Sequence, residues 1–488
     1  MATYLVTVSG EIPLRSRRTR PRFYGALFGA IADAVQRAGG KVTREELLEA
    51  KVLVEAEGDV LEAISRVFGV KRVAEVAWRE FSSLDELAAW AASVAGEDVR
   101  GKKFAVRAKR SGRHAFTSMD VERAVGAALL PLSAGVDLER PEAVVEIEVR
   151  GNRAFVYRRA AEGPGGLPAG VEGRALALFS GGFDSPVAAW MVARRGARVD
   201  LLHLYMGSSS STYHAYLVAR ELARRWLHGY RPAFVAVDFV PLIAEVSERV
   251  DWRYRQVVLR ALMYVVASRI AEAEGYDAIV TGESIGQASS QTLSNLSSIE
   301  KALGLGIPVL RPLAGMDKED IVRLSARIGT YELSAKVVEA CAIAPRRVAT
   351  ATRPEEVREQ LAKVRQSLID EAVAGARRFD LLSTPPESAV MPSDVEIDFV
   401  PEGALLVDLR GRASRERLPI PGSVNIGEVD LGALPRDKVI VLFCETGALS
   451  AIMALELRQR GLRAYSFRGG AGALASAIRA SACSGQRQ

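Results

Sequence analysis

The spacing of apolar and polar positions changes several times along the chain, and the changes divide it. Near the start, Tyr4–Val8 and Lys51–Glu57 alternate as half-buried strands do, and Arg22–Ala38 repeats its apolar positions with helical spacing until Gly39-Gly40 stops it. Val60–Phe68 and Leu84–Ala95 predict amphipathic helices on either side of a strand, Arg72–Trp78. A strand at Phe104–Ala108 and a helix from about Met119 follow. Two short strands come next, Val144–Val149 and Arg153–Tyr157, with Gly151-Asn152 between them as a hairpin signal. Gly163–Pro168 has no periodicity and reads as a linker.

From residue 174 to 330 strands and helices alternate. The strands are Ala175–Phe179, Val199–Tyr205, Ala233–Asp238 and Ala278–Thr281; the helices are Pro186–Arg195, Tyr213–Leu227, Arg255–Glu274 and Lys318–Ile328. This order predicts a doubly wound, mainly parallel sheet with ligands at the carboxyl ends of its strands. One long charged helix, Pro354–Arg377, and a second linker, Ser383–Ser393, come after it. The C-terminal part repeats the α/β pattern on a smaller scale, with strands Leu405–Leu409, Val439–Phe443 and Arg463–Phe467 and a helix Ser450–Arg460 closed by Gly461.

Composition narrows the class. With 49% hydrophobic and 25% charged residues, the 488-residue chain is neither collagen-like, nor a coiled coil, nor mostly disordered. No uncharged apolar run reaches the roughly 18 residues of a membrane span, and the N-terminal strand passes straight into arginines without a signal region. A cytoplasmic protein without membrane contact is expected. The three cysteines, Cys341, Cys444 and Cys483, fit no zinc or iron–sulfur spacing, so any sulfur chemistry falls to one or two thiols; Cys483 reads as an incidental tail residue. The net charge of +6 is modest, but Arg outnumbers Lys roughly five to one, a bias suited to bidentate phosphate contacts or to thermal adaptation.

Three constellations carry candidate chemistry. Ser180-Gly181-Gly182-Phe183-Asp184-Ser185 joins a strand to a helix, where glycines admit a phosphate closely and hydroxyls and helix amides hold its oxygens. Asp184 there either places Mg²⁺ or caps the helix. The loop Cys444–Ser450 likewise joins strand to helix, so its amides can converge on one sulfur and stabilise a thiolate or persulfide, unless Cys444 is simply packed as a small hydrophobe. Lys102, Lys103, Arg107, Lys109, Arg110 and Arg113 interleave with Phe104, His114 and Phe116, and Arg15–Arg22 is a second basic cluster. Each reads as a surface for folded RNA or as a solvated face.

The SGGFDS loop resembles the signature of PP-loop ATP pyrophosphatases. The Cys444 loop with Leu405–Arg410 and Pro421–Ile426 resembles a rhodanese domain, although no His precedes Pro421-Gly422 and Glu445 replaces a basic residue in the loop. Lys109–Ser118 with Asp120–Arg123 is similar to a THUMP segment. Together with Gly163–Pro168, Thr281-Gly282-Glu283, Gly286-Gln287, Ser289–Leu293, Arg311-Pro312-Leu313 and Asp317-Lys318-Glu319, these place the chain's resemblance with the tRNA 4-thiouridine synthetase family, also called the thiamine-biosynthesis sulfurtransferase.

That resemblance implies four domains of mixed α/β and α+β class: a ferredoxin-like unit (1–59), a THUMP domain (60–165), a PP-loop domain (170–382) and a rhodanese-like domain (394–484). It implies ATP contacts at Leu178, Phe179, Ser180, Gly181, Gly182, Asp184, Ser185, His203, Leu204, Arg260, Gly282 and Gln291, with Mg²⁺ at Asp184 and Lys318 stabilising transition-state charge. From the residues alone, His203 at its strand end could simply hydrogen-bond a carbonyl. The implied reaction adenylates O4 of uridine 8 in tRNA and delivers sulfur from a persulfide on Cys444. Cys341 then forms a disulfide with Cys444. A cysteine desulfurase supplies sulfur, a reductant resets the disulfide, no iron–sulfur cluster is expected, and the assembly is a homodimer. The competing expectations are a sulfur donor for the thiamine thiazole ring and a non-catalytic RNA-binding scaffold.

Overall fold

Tyr4 and Leu5 are neighbours in sequence and both are buried, which requires a sheet covered on two faces. They lie in β1 (Ala2–Val8) of an eight-stranded sheet with β2 (Lys41–Leu48), β3 (Lys51–Glu57), β4 (Val70–Glu80), β5 (Lys103–Ser111), β6 (Gly135–Val136), β7 (Ala143–Arg150) and β8 (Arg153–Glu162). The order is β2-β3-β1-β4-β8-β7-β5-β6. Tyr4, Val6, Val52 and Val54 share a core with Phe23, Leu27 and Ile31 of the helix Arg20–Arg37. Phe104, Val106, Val145 and Val156 share another with Leu87, Val121 and Val125 of the helices Leu84–Val99 and Ser118–Leu129.

On the opposite face of β1, Leu5 joins Leu53, Val76 and Phe155 in a thinner cluster flanked by Trp78 and Tyr157. Ion pairs extend over it, Arg72 with Glu146 at 3.0 Å and Arg153 with Glu46 at 2.7 Å, and these guanidiniums lie over the Tyr157 and Trp78 rings. Because β4 pairs with β1 on one side and β8 on the other, the sheet runs unbroken across residues 59–60.

The structure is a computed structural model that describes residues 1–337, 349–390, 394–430 and 434–484. It divides into two units, Met1–Val171 and Glu172–Gln488. The stretch Gly163–Pro168, expected as a linker, is instead docked on the first unit. Gly163 and Gly165 donate backbone hydrogen bonds to Lys71 and Val70 carbonyls, both at 2.8 Å, and Leu167 is buried. Aperiodic sequence hid this packing because the contacts are made by main chain, where only glycine fits: a Cβ on Gly163 would stand 2.2 Å from the Val70 carbonyl oxygen.

In the second unit β9 (Arg174–Leu178), β10 (Arg198–Tyr205), β11 (Ala233–Asp238), β12 (Ala278–Val280), β13 (Val309–Leu310) and β14 (Arg377–Asp380) form a sheet ordered β13-β12-β9-β10-β11-β14. All pairs are parallel except β11 with β14. The chain builds outward from β9 through β11 and returns to the other side of β9 as β12. The loops after β9 and β12 therefore flank a switch point, the crevice where such sheets bind ligands. The helix Arg255–Glu274 is apolar around most of its circumference and belongs to the main core with Val357 and Ile369.

The single helix expected over Pro354–Arg377 is two, Pro354–Leu361 and Gln366–Ala374, followed by β14. In one straight helix Ile369 would point about 120° away from Val357. The break lets both enter the core, and lets Arg365 reach Glu245 at 2.9 Å. The second expected linker is also anchored: Tyr216 donates to the Thr384 carbonyl at 2.9 Å, and Ala389 is buried. The C-terminal sheet holds β15 (Glu396–Ile397), β16 (Leu405–Asp408), β17 (Ser423–Asn425), β18 (Val439–Phe443) and β19 (Arg463–Phe467). Its order is β15-β19-β18-β16-β17 and all its pairs are parallel. Among the described residues, no helix is long and apolar enough to cross a membrane.

Substituting Gly163→Ala should displace the strand end at Val70 and destabilise the first unit by about 1–3 kcal/mol, the usual range for overpacking. Urea unfolding of the full chain, followed by first-unit fluorescence, should show an earlier transition; an unchanged midpoint would mean that the segment is free.

Candidate functional site

The Ser180–Ser185 loop is built on one hydroxyl. Ser185 Oγ accepts the amides of Ser180 and Gly181 at 3.2 and 3.1 Å, curling the loop over the first turn of the helix Asp184–Arg194. Gly181 has φ +84°, and a Cβ there would lie 2.7 Å from Ala215 Cα, so the position excludes side chains twice over. The loop after β12 packs directly on it: a Cβ on Gly282 would meet the Asp184 and Ser185 backbone at 3.0 Å. At the mouth, Asp184 accepts from Lys318 Nζ at 2.8 Å and from Gln287 Nε2 at 2.9 Å.

Beneath lies a cavity of about 300 Å³ lined by Leu178, Phe179, Ser180, Asp184, Ser185, His203, Leu204, Arg260, Gly282 and Gln291, all expected from sequence. Gly181 and Gly182 shape the loop without lining it. Leu202, Met206, Ser208, Ser211, Met263, Tyr264 and Glu283 also line it. These were not singled out as site residues: most sit in strand and helix runs whose apolar pattern reads as core, although Glu283 was visible within Thr281-Gly282-Glu283.

Glu283 organises the wall. It is 4% exposed and accepts from Arg260, from Arg311 Nε at 2.8 Å, from Tyr264 and from Thr281 Oγ1 at 2.9 Å. Burial pushes its carboxyl up, but Arg260, the Tyr264 hydroxyl and Arg311 outweigh that and hold it below its ordinary range. Burial and then the Glu283 charge push the Tyr264 phenol up, so it remains a donor. Two buried polar atoms on lining residues have no partner, Arg260 Nε and Ser211 Oγ. His203 stacks on Phe234 with ring centroids 5.5 Å apart. Burial drives its pKa down to about 4, against a weaker opposing hydrogen bond to the Phe179 carbonyl. The neutral ring donates from Nδ1 to Phe179 O at 3.0 Å, and its Nε2 accepts from Thr212 Oγ1 at 3.2 Å.

Cys444 directly follows β18, the middle strand of the C-terminal sheet, and is buried. Its Sγ accepts from the Gly447 amide at 3.2 Å and from Ser450 Oγ at 3.6 Å. Gly470 seals the loop from the other side, since a Cβ there would lie 2.6 Å from the Cys444 carbonyl oxygen. The loop itself supplies no cation, but Arg410, buried and paired with Asp408 at 2.7 Å, lies within electrostatic range of Cys444 and Glu445. The sulfur therefore faces one main-chain amide and one hydroxyl. Cys341 lies outside the described residues, and Cys483 falls in the helix Gly470–Ser484.

In the first unit, Lys102, Lys103, Arg107, Lys109, Arg110 and Arg113 are all exposed, the middle four on β5. Arg110 is held by the Gly112 carbonyl at 3.1 Å and by His114 Nδ1 at 2.9 Å. Phe116 packs on Phe81 with ring centroids 6.1 Å apart and belongs to the fringe of the core, which removes it as a free stacking surface.

The site's chemistry can be set beside known proteins. Residues 170–366 match the family model of the thiamine biosynthesis protein ThiI, and residues 81–158 that of the THUMP domain. A tRNA sulfurtransferase of Desulfurococcus amylolyticus is 51% identical over 470 residues, covering 96% of this chain and 98% of that protein. One of Pyrobaculum aerophilum is 41% identical over 471 residues, covering 94% and 95%. A solved structure of a 4-thiouridine synthetase–RNA complex with bound ATP is 30% identical, with a TM-score of 0.66, covering 78% of this chain and 99% of that one.

His203 makes the site acid-sensitive. Its pKa of about 4 in the folded protein lies below the roughly 6.5 of an unfolded chain, so the unfolded state takes up the proton first and stability falls as pH drops from 6.5 towards 4. The full effect is roughly 3 kcal/mol. His203→Phe should flatten this part of the thermal stability profile, and an unchanged acid slope would refute the neutral, buried assignment.

Proposed function

The chain belongs to the tRNA sulfurtransferase family, and from that membership we propose that it makes 4-thiouridine at position 8 of tRNA by adenylating uridine O4 and delivering sulfur from Cys444. Its activity is ATP-dependent thiolation of tRNA. The observation that carries the finer reading is the cavity at the β9/β12 switch point, with the Asp184–Lys318 pair at its mouth and Arg260 and Ser211 in its lining.

The cavity suits a nucleotide. Leu178, Met206 and Met263 offer apolar surface for a base, and Arg260 and Ser211 are polar residues of the same lining. The loop amides and the helix start at Asp184 suit the phosphates. Among the described residues no three acidic, His or Cys side chains group to hold a metal. Asp184 alone fits a Mg²⁺ held mainly by phosphate oxygens, which would neutralise charge on the leaving pyrophosphate. Asp184 would exchange Lys318 for the cation, freeing the ammonium to meet charge developing at the α-phosphate.

In the second half of the reaction, the terminal sulfur of a Cys444 persulfide attacks C4 of the adenylated uridine and AMP leaves. The Cys341 thiolate then attacks Cys444 Sγ, the sulfur–sulfur link to tRNA breaks, and 4-thiouridine is released with a Cys341–Cys444 disulfide. A cysteine desulfurase loads Cys444 and a reductant resets the disulfide. Lys102, Lys103, Arg107, Lys109, Arg110 and Arg113 form the tRNA surface, assisted by the partner subunit of a cytoplasmic homodimer.

The β1-to-β4 segment, with its strand order β2-β3-β1-β4 and helices after β1 and β3, supports a ferredoxin-like unit that runs past the expected boundary at residue 59 to the end of β4 at Glu80. The parallel five-stranded sheet with Cys444 after its middle strand supports a rhodanese-like domain. The same persulfide could feed the thiamine thiazole ring, a second reading favoured by the ThiI match.

Nucleoside mass spectrometry tests the assignment, using unmodified tRNA transcript with ATP, Mg²⁺, cysteine, a desulfurase and a reductant. Wild-type protein should exchange one oxygen for sulfur. Cys444→Ala should abolish the exchange, and Asp184→Ala should lower it at least about a hundredfold while Cys444 still loads with sulfur. Normal thiolation by either variant would overturn its assigned role.

A further inference from the structure

The C-terminal sheet reaches the helix that walls the cavity through a buried carboxylate. Glu396 begins β15, and its side chain has no exposure. Its Oε1 accepts the Ser209 amide at 3.2 Å, its Oε2 accepts from the Ser209 hydroxyl, and Arg468 Nε lies 3.9 Å away. Ser209 opens the helix Ser209–Trp226, so the carboxylate sits on an amide that the helix leaves unpaired, at its positive end.

That first turn is also a wall of the cavity. Ser208, which caps the helix by accepting the Ser211 amide at 3.2 Å, lines the cavity, as does Ser211 with its unpartnered hydroxyl. One residue further, Thr212 holds Nε2 of His203. A second contact reinforces the first. Leu455 packs on Gly207, where a Cβ would lie 2.8 Å from Leu455 Cδ1. Leu455 belongs to the helix Ala448–Gln459, which starts in the Cys444 loop. The sulfur loop and the cavity wall are thus joined by one helix and one carboxylate.

We propose that Glu396 is a positioning residue for the nucleotide cavity: through Ser209 it fixes the turn that presents Ser208 and Ser211, so ATP binding and docking of the C-terminal domain strengthen each other. The inference rests on the reading of the cavity as an ATP site. Coupling of this kind is reciprocal. Bound ATP holds the C-terminal domain in place, and departure of the nucleotide products loosens it. Glu396 touches no reacting atom and acts through Ser209 alone.

The test measures ATP dissociation constants by calorimetry on the full chain for wild type, Glu396→Ala, Glu396→Gln and Ser209→Ala. Each variant is also assayed for KM and kcat of ATP-dependent pyrophosphate release on tRNA without a sulfur donor, and for persulfide loading of Cys444. Glu396→Ala should weaken ATP binding and raise KM about five- to twentyfold, with kcat within twofold and Cys444 loading intact. Glu396→Gln, whose amide oxygen still accepts from the Ser209 amide, should recover most of the affinity.

Ser209→Ala loses only the hydroxyl contact and leaves the C-terminal core untouched, so it should weaken binding by about two- to fivefold and decides the matter if Glu396→Ala fails to load. Wild-type ATP affinity in Glu396→Ala, or in Ser209→Ala where Glu396→Ala does not load, overturns the coupling. So does an equal loss in Glu396→Gln and Glu396→Ala. A wild-type chain that binds no ATP would instead overturn the cavity assignment on which the proposal rests.

Discussion

Glu283 is one carboxylate with four donors, and the geometry of the cavity follows from it. Arg260 and Tyr264 come from the helix Arg255–Glu274, Arg311 from beyond β13, and Thr281 from the end of β12. Three separate elements are thereby tied to one loop. Removing one partner of such a buried pair typically costs about 3–5 kcal/mol, because the remaining charge has nowhere to go. The arrangement also leaves Arg260 Nε without a partner, because Glu283 and Ser290 take the guanidinium's terminal nitrogens.

The two candidate centres share a way of building a site on different chemistry. Each stands after a parallel strand, in a loop closed by glycine where a side chain would collide, and each uses main-chain amides with a serine hydroxyl. In the first, Ser185 Oγ gathers amides into a turn that leaves the helix start facing the cavity. In the second, the Gly447 amide and the Ser450 hydroxyl point at Cys444 Sγ. The charges differ in kind as well. Asp184 and Lys318 pair at an open mouth, where exchange of partners is cheap, whereas Asp408 and Arg410 pair in the interior and are fixed.

Much of this was legible beforehand because it follows from period and local chemistry. The helix Lys318–Ile328 has its expected ends because Asp317 caps it and Gly329, at φ +81°, stops it. Strand β18 reads as buried from five consecutive apolar residues, and its central place in a parallel sheet explains why no alternation appears. Other features escaped for equally physical reasons. Strand β2, Lys41–Leu48, is rich in charge because it is an edge strand exposed along most of its length. The GPGGLP stretch and the start of the Pro/Ser-rich stretch look like linkers because their docking uses carbonyls, amides and proline rings, which leave no apolar period.

By itself the sequence determined the strand and helix succession, the two glycine-bearing loops and the identities of the candidate nucleophile and carboxylate. Each of these depends on near neighbours in the chain. Tertiary structure decided which residues meet: Glu283 with Arg260 and Arg311, and Glu396 with the helix that walls the cavity. Those contacts span up to 187 residues of chain. They depend on where β12 and β15 enter their sheets, and strand order is a property of packing that no local pattern encodes.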